Sequence, residues 1–175
     1  MIGRIYDRLS SVIRTKWYSL KYEVGKNCSF GDVKFWRCEK NSIKIGDKVT
    51  IFRGTELCAH TRRPIAIGDN TFINQRCIIR PNTSIGNNVS VGQNVMMVTD
   101  SHEIGNEEKR AGTPYFPKIS IGDGCWIGAN STILGGVNIG KGTIIGAGSL
   151  VNKDCEPNSL YAGVPAKLIK RINEV

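Results

Sequence analysis

The sequence predicts an all-β solenoid, a chain that advances by short strands joined at regular corners, on three observations. First, fifteen apolar residues each open a six-residue unit: Ile45, Ile51, Leu57, Ile67, Ile73, Ile79, Ile85, Val91, Met97, Ile121, Ile127, Ile133, Ile139, Ile145 and Val151. A period of six fits neither the 3.6-residue repeat of a helix nor one long strand, so the chain must turn at fixed intervals. Second, the residue four places after an opener is small or β-branched, as at Val49, Thr55, Thr71, Cys77, Val89, Cys125, Ser131, Thr143 and Cys155, which suits a narrow interior. Third, Gly follows the opener at Gly46, Gly68, Gly86, Gly92, Gly122, Gly128, Gly140 and Gly146, and Gly or Asn recurs two residues later, from Asn70 to Gly148. Both residue types tolerate the positive φ that tight corners need. Three such units close one triangular coil, and each coil covers the apolar column of its neighbour.

Residues 1–40 precede the repeat. There Ile2, Ile5, Leu9, Val12, Ile13, Trp17 and Leu20 recur at helical spacing, with Arg4, Arg8, Arg14, Lys16 and Lys21 on the remaining faces. This predicts a basic amphipathic helix, which either caps the open end of the solenoid or lies on an anionic membrane surface. Residues 41–166 carry the repeat, interrupted twice. Between Leu57 and Ile67 the spacing is ten, so His60 to Pro64 add a small loop. Between Met97 and Ile121 it is twenty-four, which keeps the phase, so residues 98–118 leave the coil as an excursion loop and return in register. In 167–175, Leu168 and Ile172 alternate with Lys167, Lys170 and Arg171, which predicts a short C-terminal helix.

At 175 residues the chain suits one domain, buried coil by coil. No apolar run approaches the roughly 20 residues of a membrane span, and nothing at the N-terminus reads as a cleaved signal, so a cytoplasmic location is expected. The formal net charge of +9 points to an anionic partner. It does not point to nucleic acid, because the aromatics are scattered and no recognition motif is present. The six cysteines form no C-x-x-C pair and no metal-ligand spacing, and Cys77, Cys125 and Cys155 occupy the small inward position. They read as buried free thiols, and no metal is expected.

The stretches IGDGCWIG over 121–128, GAGSLV over 146–151 and GVPAK over 163–167 resemble the hexapeptide-repeat acyltransferases, in particular the maltose, galactoside and capsular-polysaccharide O-acetyltransferase branch. The resemblance spans about Ile43 to Arg171. It implies a left-handed parallel β-helix, a handedness that sequence physics alone would not suggest, since parallel crossovers are right-handed in about 98% of cases. It further implies a homotrimer with active sites between subunits, acetyl-CoA as co-substrate and a sugar or glycan acceptor.

By that resemblance His102, at the root of the excursion, is the general base. Removing a proton from a sugar hydroxyl as it attacks a thioester needs such a group, and neutral imidazole can take the proton and return it to the departing thiolate. Asp100 or Glu103 could hold its tautomer, or be solvated loop carboxylates. The resemblance assigns acceptor binding to Asn74 and an oxyanion-stabilising backbone N–H to Ala129. It assigns coenzyme A to Trp126, Ala129, Ala147, Asn152, Lys153, Lys167 and Lys170. Where the branch carries an acceptor-binding aspartate this chain has Arg80, a departure that suggests an anionic acceptor. Transfer to an amino-sugar nitrogen, or a catalytically silent scaffold, are the other readings the sequence allows. A carbonic anhydrase of this fold needs three zinc-binding histidines, and the chain has two, His60 and His102.

Overall fold

Each six-residue unit supplies one strand of two or three residues and one corner, and every third strand falls in the same sheet. In the computed structural model, whose described residues are 13–172, three parallel sheets form the faces of a left-handed β-helix. The first face stacks Glu23–Val24, Ile43–Ile45, Ile65–Ile67, Thr83–Ile85, Ile119–Ile121 and Asn138–Ile139. The second stacks Ser29–Phe30, Thr50–Ile51, Phe72–Ile73, Ser90–Val91, Trp126–Ile127 and Ile144–Ile145. It then ends in an antiparallel hairpin of Ser159–Gly163 and Ala166–Arg171. The third stacks Lys34–Phe35, Glu56–Leu57, Ile78–Ile79, Met96–Val98, Thr132–Leu134 and Leu150–Val151.

All fifteen openers are buried, none more than 4% exposed, and the small residues four places on are buried beside them. The interior is therefore one continuous apolar column flanked by Thr, Ser, Cys and Val, whose hydroxyls and thiols bond to carbonyls of the adjoining coil. Thr71 donates to Gly86 O at 2.9 Å and Ser131 to Gly146 O at 3.0 Å. The two sets of corner residues serve different ends. Positive φ is taken by the residue three places after the opener, Asn70, Asn88, Asn94, Asn130, Gly124, Gly136, Gly142 and Gly148, and also by Lys48 and Arg76. The glycines directly after the opener do not adopt it. They are needed because coils approach closely: a Cβ on Gly128 would lie 2.5 Å from Ala147 N, and one on Gly92 would lie 2.6 Å from Ala129 N.

The excursion leaves after Met96–Val98 as a hairpin of Ser101–Ile104 and Ala111–Tyr115. The chain returns in register, Thr83 to Ile85 pairing with Ile119 to Ile121. The shorter insertion after Leu57 is pinned by Glu39, whose carboxylate accepts Thr61 N–H at 2.8 Å and Thr61 Oγ1–H at 2.7 Å. These bonds hold its pKa down at about 2.

Both ends depart from the sequence-based expectation. The solenoid starts before residue 41, because residues 23–35 already form a coil in which Val24, Phe30 and Phe35 pair with Ile45, Ile51 and Leu57. Two phenylalanines in place of Ile, at spacings of six and five, hide this coil from a six-residue pattern. A helix covers residues 13–19, and residues 1–12 of the expected amphipathic helix lie outside the described residues. The end of the column is covered by Tyr18 and Tyr22, 7% and 4% exposed, rather than by the predicted apolar stripe. Tyr18 and Tyr22 pack on Phe35 at 4.3 and 4.8 Å between centroids, and Tyr18 Oη donates to Val33 O at 2.9 Å. At the other end, the segment expected as a helix over 167–175 runs instead as the strand Ala166–Arg171. Residue 160 pairs with 170 and 161 with 168, so the exposed edge of the second face is closed by a strand.

Candidate active site

The three corners of each coil are not equivalent, and the residue two places after the opener distinguishes them. Between the first and second faces that residue is Asp47, Asp69, Asn87 or Asp123 in four successive coils, and Lys141 in the next. Each of the first four side chains accepts the N–H of its counterpart one coil earlier: Asp47 N to Asp69 Oδ1 at 2.7 Å, Asp69 N to Asn87 Oδ1 at 2.8 Å, Asn87 N to Asp123 Oδ1 at 2.7 Å. This ladder satisfies a row of corner amides. Between the second and third faces the same position holds Arg53, Gln75, Gln93, Ala129 and Ala147. No ladder forms there. Gln75 N–H is taken by Asn74 Oδ1 at 2.8 Å, while the N–H groups of Gln93, Ala129 and Ala147 have no protein acceptor among the described residues.

These open donors border a groove of about 670 Å³ that runs along the second face, lined by Phe72, Asn74, Gly92, Gln93, Trp126, Ala129 and Ala147 among others. Glycine at 92 and 128 and alanine at 129 and 147 leave its floor bare. Trp126, 58% exposed, forms one wall. Asn74 reaches it with an amide nitrogen that makes no hydrogen bond among the described residues. Four of the site residues expected from sequence, Asn74, Trp126, Ala129 and Ala147, thus meet in one place. Gln93 and its open N–H were not anticipated, although the switch from Asp to Gln and Ala at every third corner was a readable signal.

The other expected residues lie elsewhere on the chain. His102 and Glu103 are exposed on the excursion hairpin and do not line the groove. Asp100, at the hairpin's root, is held by Arg80, whose Nε and a terminal guanidinium nitrogen reach Asp100 Oδ2 at 2.6 and 2.5 Å. The Arg80 guanidinium also lies 5.5 Å from the Trp36 ring, and Thr99 Oγ1 donates to Pro81 O at 2.6 Å. Asn152 and Lys153 are exposed after the last strand of the third face. Lys167 and Lys170 are exposed on the terminal hairpin, Lys170 opposite Leu160, which borders the groove.

Among the described residues no group of three His, Cys, Asp or Glu side chains is placed to hold a metal ion. The six cysteines are free, five of them buried, and burial pushes the thiols of Cys38, Cys77 and Cys155 up to about 11.

The sequence pattern of the bacterial transferase hexapeptide family, six repeats long, matches residues 64–98 and 118–153, the two blocks of coils on either side of the excursion. In those two blocks the chain is similar to the bacterial hexapeptide-repeat transferases. Among its relatives is galactoside O-acetyltransferase of Escherichia coli (strain K12), 39% identical over 112 residues that cover 63% of this hexapeptide-repeat chain and 55% of that one. A protein of the same strain named for O-acetyl transfer in lipopolysaccharide biosynthesis is 29% identical over 85% of this chain and 81% of its own length. The chain spans little more than half the length of the first curated relatives it matches. Among solved structures, a galactoside acetyltransferase in complex with coenzyme A superposes with a TM-score of 0.62 at 28% identity, covering 98% of this chain and 83% of the other. A hexapeptide-repeat-containing acetyltransferase of Vibrio cholerae complexed with acetyl coenzyme A does so with a TM-score of 0.63 at 25% identity, covering 92% and 79%.

Proposed function

We propose that the chain is an acetyl-CoA-dependent O-acetyltransferase that acts on a sugar hydroxyl in the assembly of a cell-surface polysaccharide. The observation that carries this reading is the bare, amide-lined groove that joins Asn74, Trp126, Ala129 and Ala147, in a chain similar to a galactoside acetyltransferase solved with coenzyme A. A pantetheine arm carries amides and a thioester, and open N–H donors on a glycine and alanine floor suit such a ligand. Lys167 and Lys170, with Asn152 and Lys153, would meet its phosphates and adenosine end.

In the proposed reaction the acceptor oxygen attacks the thioester carbonyl while His102 takes its proton. The C–S bond then breaks and the proton passes to the thiolate, so the products are an O-acetyl sugar and free coenzyme A. The Ala129 N–H, which has no acceptor among the described residues, would stabilise the oxyanion. Because His102 does not line the groove of its own chain, the reading requires a trimer in which one subunit's hairpin faces its neighbour's groove. The reading also places the enzyme in the cytoplasm with its basic N-terminal helix against an anionic membrane.

Thiol release from acetyl-CoA in the presence of neutral sugars, amino sugars and acidic glycans tests the proposal. His102→Ala should lower acceptor-dependent release about a hundredfold or more, with coenzyme A affinity unchanged. Full activity in that variant removes His102 from its role, and absence of coenzyme A binding to the wild type leaves a scaffold.

A further inference from the structure

The groove does not end at Asn74. Towards the N-terminal coils it adjoins a second cavity of about 920 Å³, bordered by Arg14, Asp32, Thr50, Phe52, Arg53 and Gln75. The two meet across an aromatic pair. Phe72 lines the first cavity and Phe52 the second, and their rings lie 5.1 Å apart at a tilt of 55°, each more than a third exposed. Along one continuous corner, the position two places after the opener therefore passes from Ala147 and Ala129 through Gln93 and Gln75 to Arg53. The position directly after the opener passes from Gly146, Gly128 and Gly92 to Asn74 and Phe52. The C-terminal half is stripped to backbone, which suits a thin, flexible arm. The N-terminal half carries polar, aromatic and cationic side chains, which suit a ligand with a ring face and an anionic group.

Arg53 is the decisive residue. It is exposed, and it takes part in none of the ion pairs among the described residues. This contrasts with Arg80, whose guanidinium is engaged by Asp100. An anionic acceptor is therefore better matched to Arg53 than to Arg80.

We propose that this second cavity is a subsite for a carboxylate-bearing sugar next to the one that is acetylated, with Arg53 binding the carboxylate and the Phe52–Phe72 pair supporting the ring. The proposal rests on the acetyltransferase reading and names its substrate class, an acidic glycan at least two sugars long. A guanidinium offers paired N–H donors that match a carboxylate, and the positive overall charge favours the encounter.

The test is direct binding, measured by calorimetry with coenzyme A present. The probes are short oligogalacturonate, oligosialate and hyaluronan fragments, each paired with its carboxyl-reduced counterpart. Wild type should bind at least one acidic member about tenfold or more tighter than its reduced counterpart, as expected for a charged hydrogen bond. Arg53→Gln should lose that preference and Arg53→Lys should recover part of it, with coenzyme A affinity the same in all three proteins. Equal binding of acidic and reduced members, no binding of any acidic member, or a preference retained in Arg53→Gln overturns the subsite. Dissociation of the oligomer in Arg53→Gln with glycan affinity unchanged also overturns it, and makes this face a subunit contact. Failure of the broader reading would look different: wild type would then bind no coenzyme A. Acceptor-dependent thiol release with neutral sugars, unaffected in Arg53→Gln, would sink the subsite and leave the acetyltransferase standing.

Discussion

At the scale of single residues, close coil stacking makes the glycines after the openers irreplaceable for a steric rather than a conformational reason. A Cβ at Gly128 would meet backbone atoms, Ala147 N at 2.5 Å and Ile145 O at 2.6 Å, so neither neighbour can rotate away. Gly128→Ala should therefore destabilise the fold by about 1–3 kcal/mol, the usual cost of overpacking, read as a lowered denaturation midpoint. Gly148→Ala, with open space around it but φ at +70°, should cost about 1–2 kcal/mol and leave coil spacing untouched. The buried thiols make a second prediction. Burial pushes the Cys77 thiol in the folded chain up to about 11 from its ordinary value of 9.0. Between those values the folded chain holds a proton that the unfolded chain has lost, so stability is full below about 9 and falls as pH rises towards 11. The loss is on the order of 3 kcal/mol. Cys77→Val, which copies Val49, Val89 and Val95 at the same position, should flatten the alkaline side of the stability profile in denaturant titrations.

At the scale of elements, the excursion hairpin is positioned from its root. Arg80 and Asp100 form a partly buried pair two residues before His102, and Arg63 lies 3.9 Å from the Phe116 ring where the excursion returns. Arg80→Gln should leave the coils intact but loosen the hairpin, seen as faster amide exchange over 101–115 with unchanged exchange in the stacked strands. Equal protection in both proteins would show that Arg80 does not set the hairpin's position. How far these elements were legible follows from what each depends on. The coils from Ile43 onward depend on local alternation and corner residues, which a period of six displays. The first coil uses Val24, Phe30 and Phe35 and is recognisable only once its partners Ile45, Ile51 and Leu57 are known. The terminal strand Ala166–Arg171 was missed because its apolar spacing also fits a helix, and pairing with Ser159–Gly163 decided between them. Asn74, Trp126, Ala129 and Ala147 were singled out by resemblance, and only the fold brings them to one groove; the engagement of Asp100 by Arg80 is likewise a tertiary fact that spacing does not encode.

At the scale of the whole molecule, the N-terminal segment packs by Tyr18, on the helix, and Tyr22, just after it, and leaves the described members of the expected apolar stripe exposed. Ile13, Trp17 and Leu20, at helical spacings of four and three, are 67%, 61% and 78% exposed, beside Arg14, Lys16 and Lys21. No helix among the described residues is long and apolar enough to cross a membrane. An exposed apolar stripe edged by cations instead suits the plane of an anionic bilayer surface. Flotation with vesicles rich in phosphatidylserine or phosphatidylglycerol should carry the wild type upward. The triple variant Ile13→Ser, Trp17→Ser, Leu20→Ser should stay at the bottom while retaining its fold by circular dichroism. Wild type that remains with the variant rules out the membrane and assigns the stripe to another contact.

The regular rise of the coils has a further consequence. Asn74 and Ala129 sit at the same corner two coils apart, a separation of about 10 Å at the spacing of hydrogen-bonded strands. The solenoid thus works as a ruler whose graduations are whole coils. Duplicating one eighteen-residue turn between them would preserve every stacking contact and still lengthen that interval by about 4.8 Å. On the proposed assignment of acceptor to Asn74 and thioester to Ala129, such a chain would fold and bind both ligands but hold them out of reach of each other. Natural gain or loss of coils in proteins of this architecture should therefore be tolerated at the ends and rejected between Asn74 and Ala129.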